Sequence, residues 1–171
     1  MACSITVSGR SFPCKDKIGG IKRVWIAPFD ADNWGSITSG VIAAAEAVTV
    51  YGFELTKNSG SFQQTVTASV ENGTVFFSQV LELTMPNLGA TDNVEIYDLL
   101  KSRLAVIIQD NNDNYMLMGH TTGAEATGGT VGTGTAKGDL NGYQIQLTAE
   151  EAIPAPFVSS ADALITFTAG S

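Results

Sequence analysis

The stretch Phe62-Gln63-Gln64-Thr65-Val66-Thr67-Ala68-Ser69-Val70-Glu71-Asn72-Gly73-Thr74-Val75-Phe76-Phe77-Ser78-Gln79-Val80-Leu81-Glu82-Leu83-Thr84-Met85 decides the fold class. Phe62, Val66, Ala68 and Val70 alternate with Gln63, Thr65, Thr67, Ser69 and Glu71, the two-residue period of a strand with one buried face. This strand runs into Asn72-Gly73, a pair that accepts positive φ at both centres of a type I′ turn. The return strand sets Val75, Phe77, Leu81 and Leu83 on one face and Phe76 and Val80 on the other, so both its faces need cover. Pro86 stops it. A hairpin of this length makes the chain a β protein.

The same alternation extends in both directions. Ile21–Phe29 reads as a strand stopped around Pro28, and Thr49, Tyr51, Phe53 and Leu55 share one face of another. Leu104–Gln109 and Tyr115–His120 flank the polar turn Asp110–Asn114 and predict a second hairpin. Tyr143, Ile145 and Leu147 alternate again, and Phe157–Thr168 supplies a last strand. Thr121–Gly138 reads either as an irregular loop or as Gly-rich β structure. One helix stands out. Asp92 with Glu95 resembles a capping box, Val94, Ile96, Tyr97, Leu100 and Leu104 follow, and the end falls near Ser102 or Arg103. The expectation is a mainly β chain: a single β-barrel or sandwich domain of about eight strands over residues 21–171, one flanking α-helix, and an extended N-terminal arm over residues 1–20.

The chain has 171 residues, of which 44% are hydrophobic and 15% charged, too apolar and too weakly charged for a disordered chain. No run of apolar residues is long enough for a membrane-spanning helix, and Met-Ala-Cys-Ser-Ile-Thr does not open like a secretory signal. Charge is unevenly spread. Within residues 1–23, Arg10, Lys15, Lys17, Lys22 and Arg23 face only Asp16, a local +4, while the rest of the chain carries −12 of the overall −8 balance. A body this acidic repels phosphate backbones, which disfavours ordinary nucleic-acid binding. The basic arm reads as a solvated terminus or as a segment lying on the acidic surface of a neighbouring copy. Cys3 and Cys14 could close a small loop, but with no signal peptide reduced thiols are expected. Their spacing is not that of a zinc set.

Catalytic chemistry is sparse. His120 is the only histidine, with no Ser or Cys nucleophile motif to pair with it. Gly128–Gly138 lacks the spacing and following helix of a phosphate-binding loop. Asp110, Asn112 and Asn114 have the first three spacings of a calcium loop, but Tyr115 stands where Gly is needed and Thr121 where Glu is needed. Glu150 and Glu151 are adjacent and point to opposite faces of a strand, so they are no acid–base pair. No enzyme activity, metal or cofactor is expected.

Two segments carry a family resemblance: Cys3–Arg10 with Cys14–Lys22, and Gly128–Ala136, Gly138–Tyr143 and Leu147–Ala155. They resemble the opening and the C-terminal half of tail-tube and tail-ring structural proteins of tailed bacteriophages, which are related in fold to type VI secretion tubes. The resemblance implies a β-barrel flanked by a helix and homo-oligomeric rings, hexamers first and dodecamers as the alternative. It implies a place in the virion tail after synthesis in the host cytoplasm, other tail or neck proteins as partners, genomic DNA passing without specific binding, and no membrane. On this reading Arg10, Lys15, Lys17, Phe76 and Val80 are candidates for subunit contacts. Glu54, Glu71 and Asp139 are candidates for an acidic lumen. The competing readings are a monomeric or dimeric β-barrel module that stacks a carbohydrate on Trp25, Trp34 or Tyr51 near the loop Asp30–Gly40, and a capsid decoration protein.

Overall fold

The computed structural model describes residues 9–10, 15–42, 48–159 and 165–168. Strand β1 (Ile21–Pro28) leads through a single 3₁₀ turn (Ala31–Asn33) to the two-residue strands β2 (Ile37–Thr38) and β3 (Val41–Ile42), then to β4 (Val48–Glu54). The long hairpin is β5 (Gly60–Ser69) and β6 (Thr74–Pro86). Helix α1 (Ala90–Lys101) separates it from β7 (Leu104–Asp110) and β8 (Tyr115–Met118), followed by β9 (Glu125–Gly132), β10 (Gly142–Glu151), β11 (Phe157–Val158) and β12 (Ile165–Thr168).

The strands form two sheets. The larger has the order β12-β4-β1-β7-β8-β11-β3-β2 and the smaller β5-β6-β10-β9. β12–β4 and β11–β3 are parallel pairs, and the remaining pairs are antiparallel. The sheets share one apolar core: Val24, Ile26, Val106 and Ile108 meet Leu81, Leu83, Ile145 and Leu147, with Ile96 of α1 joining them. The opposite face of the larger sheet is also covered, by a second cluster of Trp25, Trp34, Ile42, Val50, Ile107 and Leu117. This explains why Leu104–Gln109 is buried at every position: its strand has no solvent face, and a run without alternation is the sequence such a strand needs.

Several expectations are corrected. The barrel does not close; the strands divide into two open sheets, and the described residues hold twelve strands rather than about eight. The hairpin turn is not a two-residue type I′ turn, because the last pair is Ser69 with Thr74. A four-residue loop joins them, in which only Gly73 is left-handed (φ 63°) while the Asn72 N–H donates to Ser69 Oγ. Helix α1 starts two residues before Asp92, with Gly89 at the N-cap and no side-chain cap; Asp92 lies in the first turn. Its buried side is Ile96 with Leu99, while Val94, Tyr97 and Leu100 are exposed, and Leu104 belongs to β7. Phe157–Thr168 is two strands on different parts of the larger sheet. The pairing of Cys3 with Cys14 lies outside the described residues.

Candidate assembly surfaces

The register of the smaller sheet assigns each residue to a face. Phe62, Leu81 and Leu147 point into the core together, and so Gln63, Val80 and Thr148 point out together. The outward face carries hydroxyls, amides and the exposed carboxylates Glu82, Glu125 and Glu150, with Phe76 and Val80 half-buried among them; Glu125 pairs with Arg103 at 3.4 Å. Thr127 and Thr148 hydroxyls lie 2.8 Å apart on it, and Thr130 donates to Gln144 at 3.1 Å. None of the four strands contains Lys or Arg. The outer strands, β5 and β9, have no strand partner on their far sides among the described residues. Unpaired edges of this kind are ready to pair with another chain unless they are blocked.

The hairpin extends this sheet past the sandwich. Leu81 and Leu83 are buried, but Val75 and Val66 on the same face are more than half exposed, and Val70 in the loop is 98% exposed. Val75 thus shares a face with Leu81 and Leu83, as the alternation predicts, without sharing their burial. Phe76 and Val80 lie on the polar outward face, half-buried among neighbouring threonines and glutamines.

The three lumen candidates are not brought together. Glu54 ends β4 on the other sheet and pairs with Arg23. Glu71 is in the hairpin loop. Asp139 is a loop cap whose carboxylate accepts the Thr135 and Ala136 N–H groups at 2.9 and 2.7 Å, and these bonds hold it below the usual carboxylate range. Arg10, Lys15 and Lys17 are exposed. The root of their arm is pinned to the β7–β8 turn. The Ile18 N–H donates to Asn112 Oδ1, Asn112 Nδ2 donates to the Ile18 carbonyl, Asn111 Nδ2 donates to the Gly19 carbonyl, and the Asn111 N–H donates to the Gly20 carbonyl. Lys22 adds an ion pair to Asp113 at 3.1 Å, which lowers the Asp113 pKa.

Asp110 organises that turn. Its carboxylate accepts the N–H groups of Asn112 and Asn114, both at 2.8 Å, and both side-chain amides. Burial pushes its pKa up, but the donors of Asn114 and Asn112 outweigh it and the net shift is downward. The one-three-five spacing thus serves a self-satisfied turn. Among the described residues no group of three or more His, Cys, Asp or Glu is placed to hold a metal ion.

Two features went unread in the sequence. The first is Glu151, which is 2% exposed at the end of β10. Its Oε1 accepts the N–H groups of Thr121 and Thr122, both at 2.9 Å, and the Thr122 hydroxyl at 3.1 Å, tying the chain beyond β8 to the smaller sheet. The signal was present, since Tyr143, Ile145, Leu147 and Ala149 continue in step to Glu151. The second is a groove between α1 and β4, with cavities of about 340 and 320 Å³ that share Phe53 and Glu95. Of the stacking candidates, Trp25 and Trp34 are buried in the second core cluster, with Trp25 against Tyr115 at 5.9 Å; only Tyr51 is exposed, at the mouth of this groove. No protein-family model, curated protein or solved structure matches the chain.

Proposed function

We propose that this chain is a structural subunit that assembles with copies of itself into rings forming the tail tube or a tail ring of a tailed phage, a conduit for DNA. The observation that carries the reading is the smaller sheet: four strands without a cation, an outward face dominated by hydroxyls, amides and carboxylates, and edge strands with no further strand partner among the described residues. A conduit must not grip its cargo. Each Lys or Arg on its wall would release counterions on touching phosphate and add affinity, whereas hydroxyls, amides and carboxylates add none.

The edges support closure. β5 is antiparallel to β6, β6 to β10 and β10 to β9, so β5 and β9 run in opposite directions. Rotation about an axis parallel to the strands brings β5 of one copy beside β9 of the next as another antiparallel pair. Such a head-to-tail contact closes into a ring when the rotation divides the circle. On this reading the wall is lined by Glu82 and Glu150, and Glu54, Glu71 and Asp139 lie elsewhere.

The test is the mass of the purified chain in solution over a range of concentration, with negative-stain images of the same samples. Rings or tubes of uniform width support the reading. Monodisperse small particles at every concentration, also after addition of preformed seeds, reject it.

A further inference from the structure

The groove between α1 and β4 is apolar below and acidic at its wall. Its floor holds Phe53, Ile96 and Leu99, and its helical wall presents Asp92, Glu95 and Asp98. Neither cavity is lined by Lys or Arg. Spacings of three along a helix keep these carboxylates on neighbouring turns of one side. The arm has the opposite character. Residues 1–18 hold Arg10, Lys15 and Lys17 against Asp16, interleaved with Ile5, Val7, Phe12 and Ile18. An apolar floor with an anionic wall suits a segment that carries both apolar and cationic side chains.

We infer that this groove is the docking site for the N-terminal arm of a second copy, the arm's apolar side chains entering the floor and its cations facing Asp92, Glu95 and Asp98. The inference rests on the self-assembly proposed above and names the contact that joins the copies. The placement of the arm's root favours a neighbour over the parent chain. Four hydrogen bonds with Asn111 and Asn112 fix residues 18–20 on the β7–β8 turn. The arm's root lies at the Ile21 end of β1, beside Asp110, whereas the first cavity is lined by Ile26, Ala27 and Pro28 at the other end of that strand, with Leu104 opposite Pro28. The root is therefore remote from this part of its own groove. Donor and acceptor at different ends of the subunit are what a head-to-tail contact requires.

The full-length chain is mixed in equal amounts with its ¹⁵N-labelled form and treated with a carbodiimide, which joins Lys to nearby carboxylates without a spacer. The expected products link Lys15 or Lys17 to Asp92, Glu95 or Asp98, with about half of them pairing a light peptide to a heavy one, and their yield falls about fivefold in 0.5 M salt as the charges are screened. Lys15→Glu with Lys17→Glu abolishes these links, as does Glu95→Lys with Asp98→Lys, and mixing the two variants restores them. Links confined to one isotope, or an arm joined to other carboxylates, overturn the inference. Light scattering on the same samples keeps the two readings apart: rings without arm–groove links reject the docking site alone, and monomers without links reject both.

Discussion

Glu151 is buried at the end of β10, and three donors from Thr121 and Thr122 converge on one of its oxygens. Loss of this acceptor leaves two backbone donors to find water at a partly buried site. Glu151→Ala is expected to lower stability by about 2–3 kcal/mol in urea unfolding, and Glu151→Gln, which keeps an acceptor, by about 1 kcal/mol. Asp110 gives a pH signature. Its folded pKa is below its ordinary value of 3.8, so its stabilising effect is complete above that value and is lost as pH falls through the lower, folded one. The urea midpoint is expected to drop between about pH 5 and pH 2, and Asp110→Asn to flatten part of that drop. An unchanged profile in the variant would mean that the turn's hydrogen bonds carry no net preference for the charged form. Both residues show what a sequence discloses at this scale. The failed calcium spacing around Asp110 already pointed to a turn, whereas nothing local to Glu151 announced its three donors, which come from a loop thirty residues away in sequence.

Gly142 opens β10 opposite Pro86, where the two backbones approach so closely that a Cβ would collide with the Met85 carbonyl oxygen and lie 2.8 Å from the Pro86 Cα. Gly142→Ala is expected to lower stability by about 2–3 kcal/mol, because only a backbone shift relieves the contact. Gly138→Ala, which meets open space in the preceding loop, serves as the control and should be neutral in the same thermal melt. The elements themselves were largely legible. The β5–β6 and β7–β8 hairpins and the helix ending at Lys101 follow from period, turn residues and stop signals that act locally. The Gly/Thr segment resolved into β9 and a loop only through its partner: Gly128 and Gly129 lie beside Gln146 and Ile145 of β10, and pairing supplied the order that glycine does not. The strand order within the two sheets, with its parallel pairs β12–β4 and β11–β3, was not legible, because register between distant strands is a property of the whole core.

At the scale of the molecule, the charge split is the fact that organises the proposal. The four strands of the smaller sheet contribute carboxylates and no cations, while the cations concentrate in the first 23 residues. If the outward face lines a conduit, wild-type assemblies are expected to hold duplex DNA only at micromolar affinity or weaker at low salt, within the range of roughly 10⁻⁴–10⁻⁶ M typical of non-specific contacts. Glu82→Lys with Glu150→Lys reverses the face without touching the core, since both side chains are exposed. Repetition around a ring multiplies the added cations. DNA retention should then rise steeply, with the logarithm of affinity falling against log salt by about 0.9 more for each phosphate newly contacted. Val94→Lys, on the exposed side of α1, is the control: it adds a cation away from the proposed wall and should leave retention inside the assembly unchanged. Filter binding of a duplex to assemblies of all three forms reads the difference. Equal gains for the sheet and helix variants would place DNA on the outside of the assembly, and tight, salt-sensitive binding by the wild type would reject a wall that lets DNA slide.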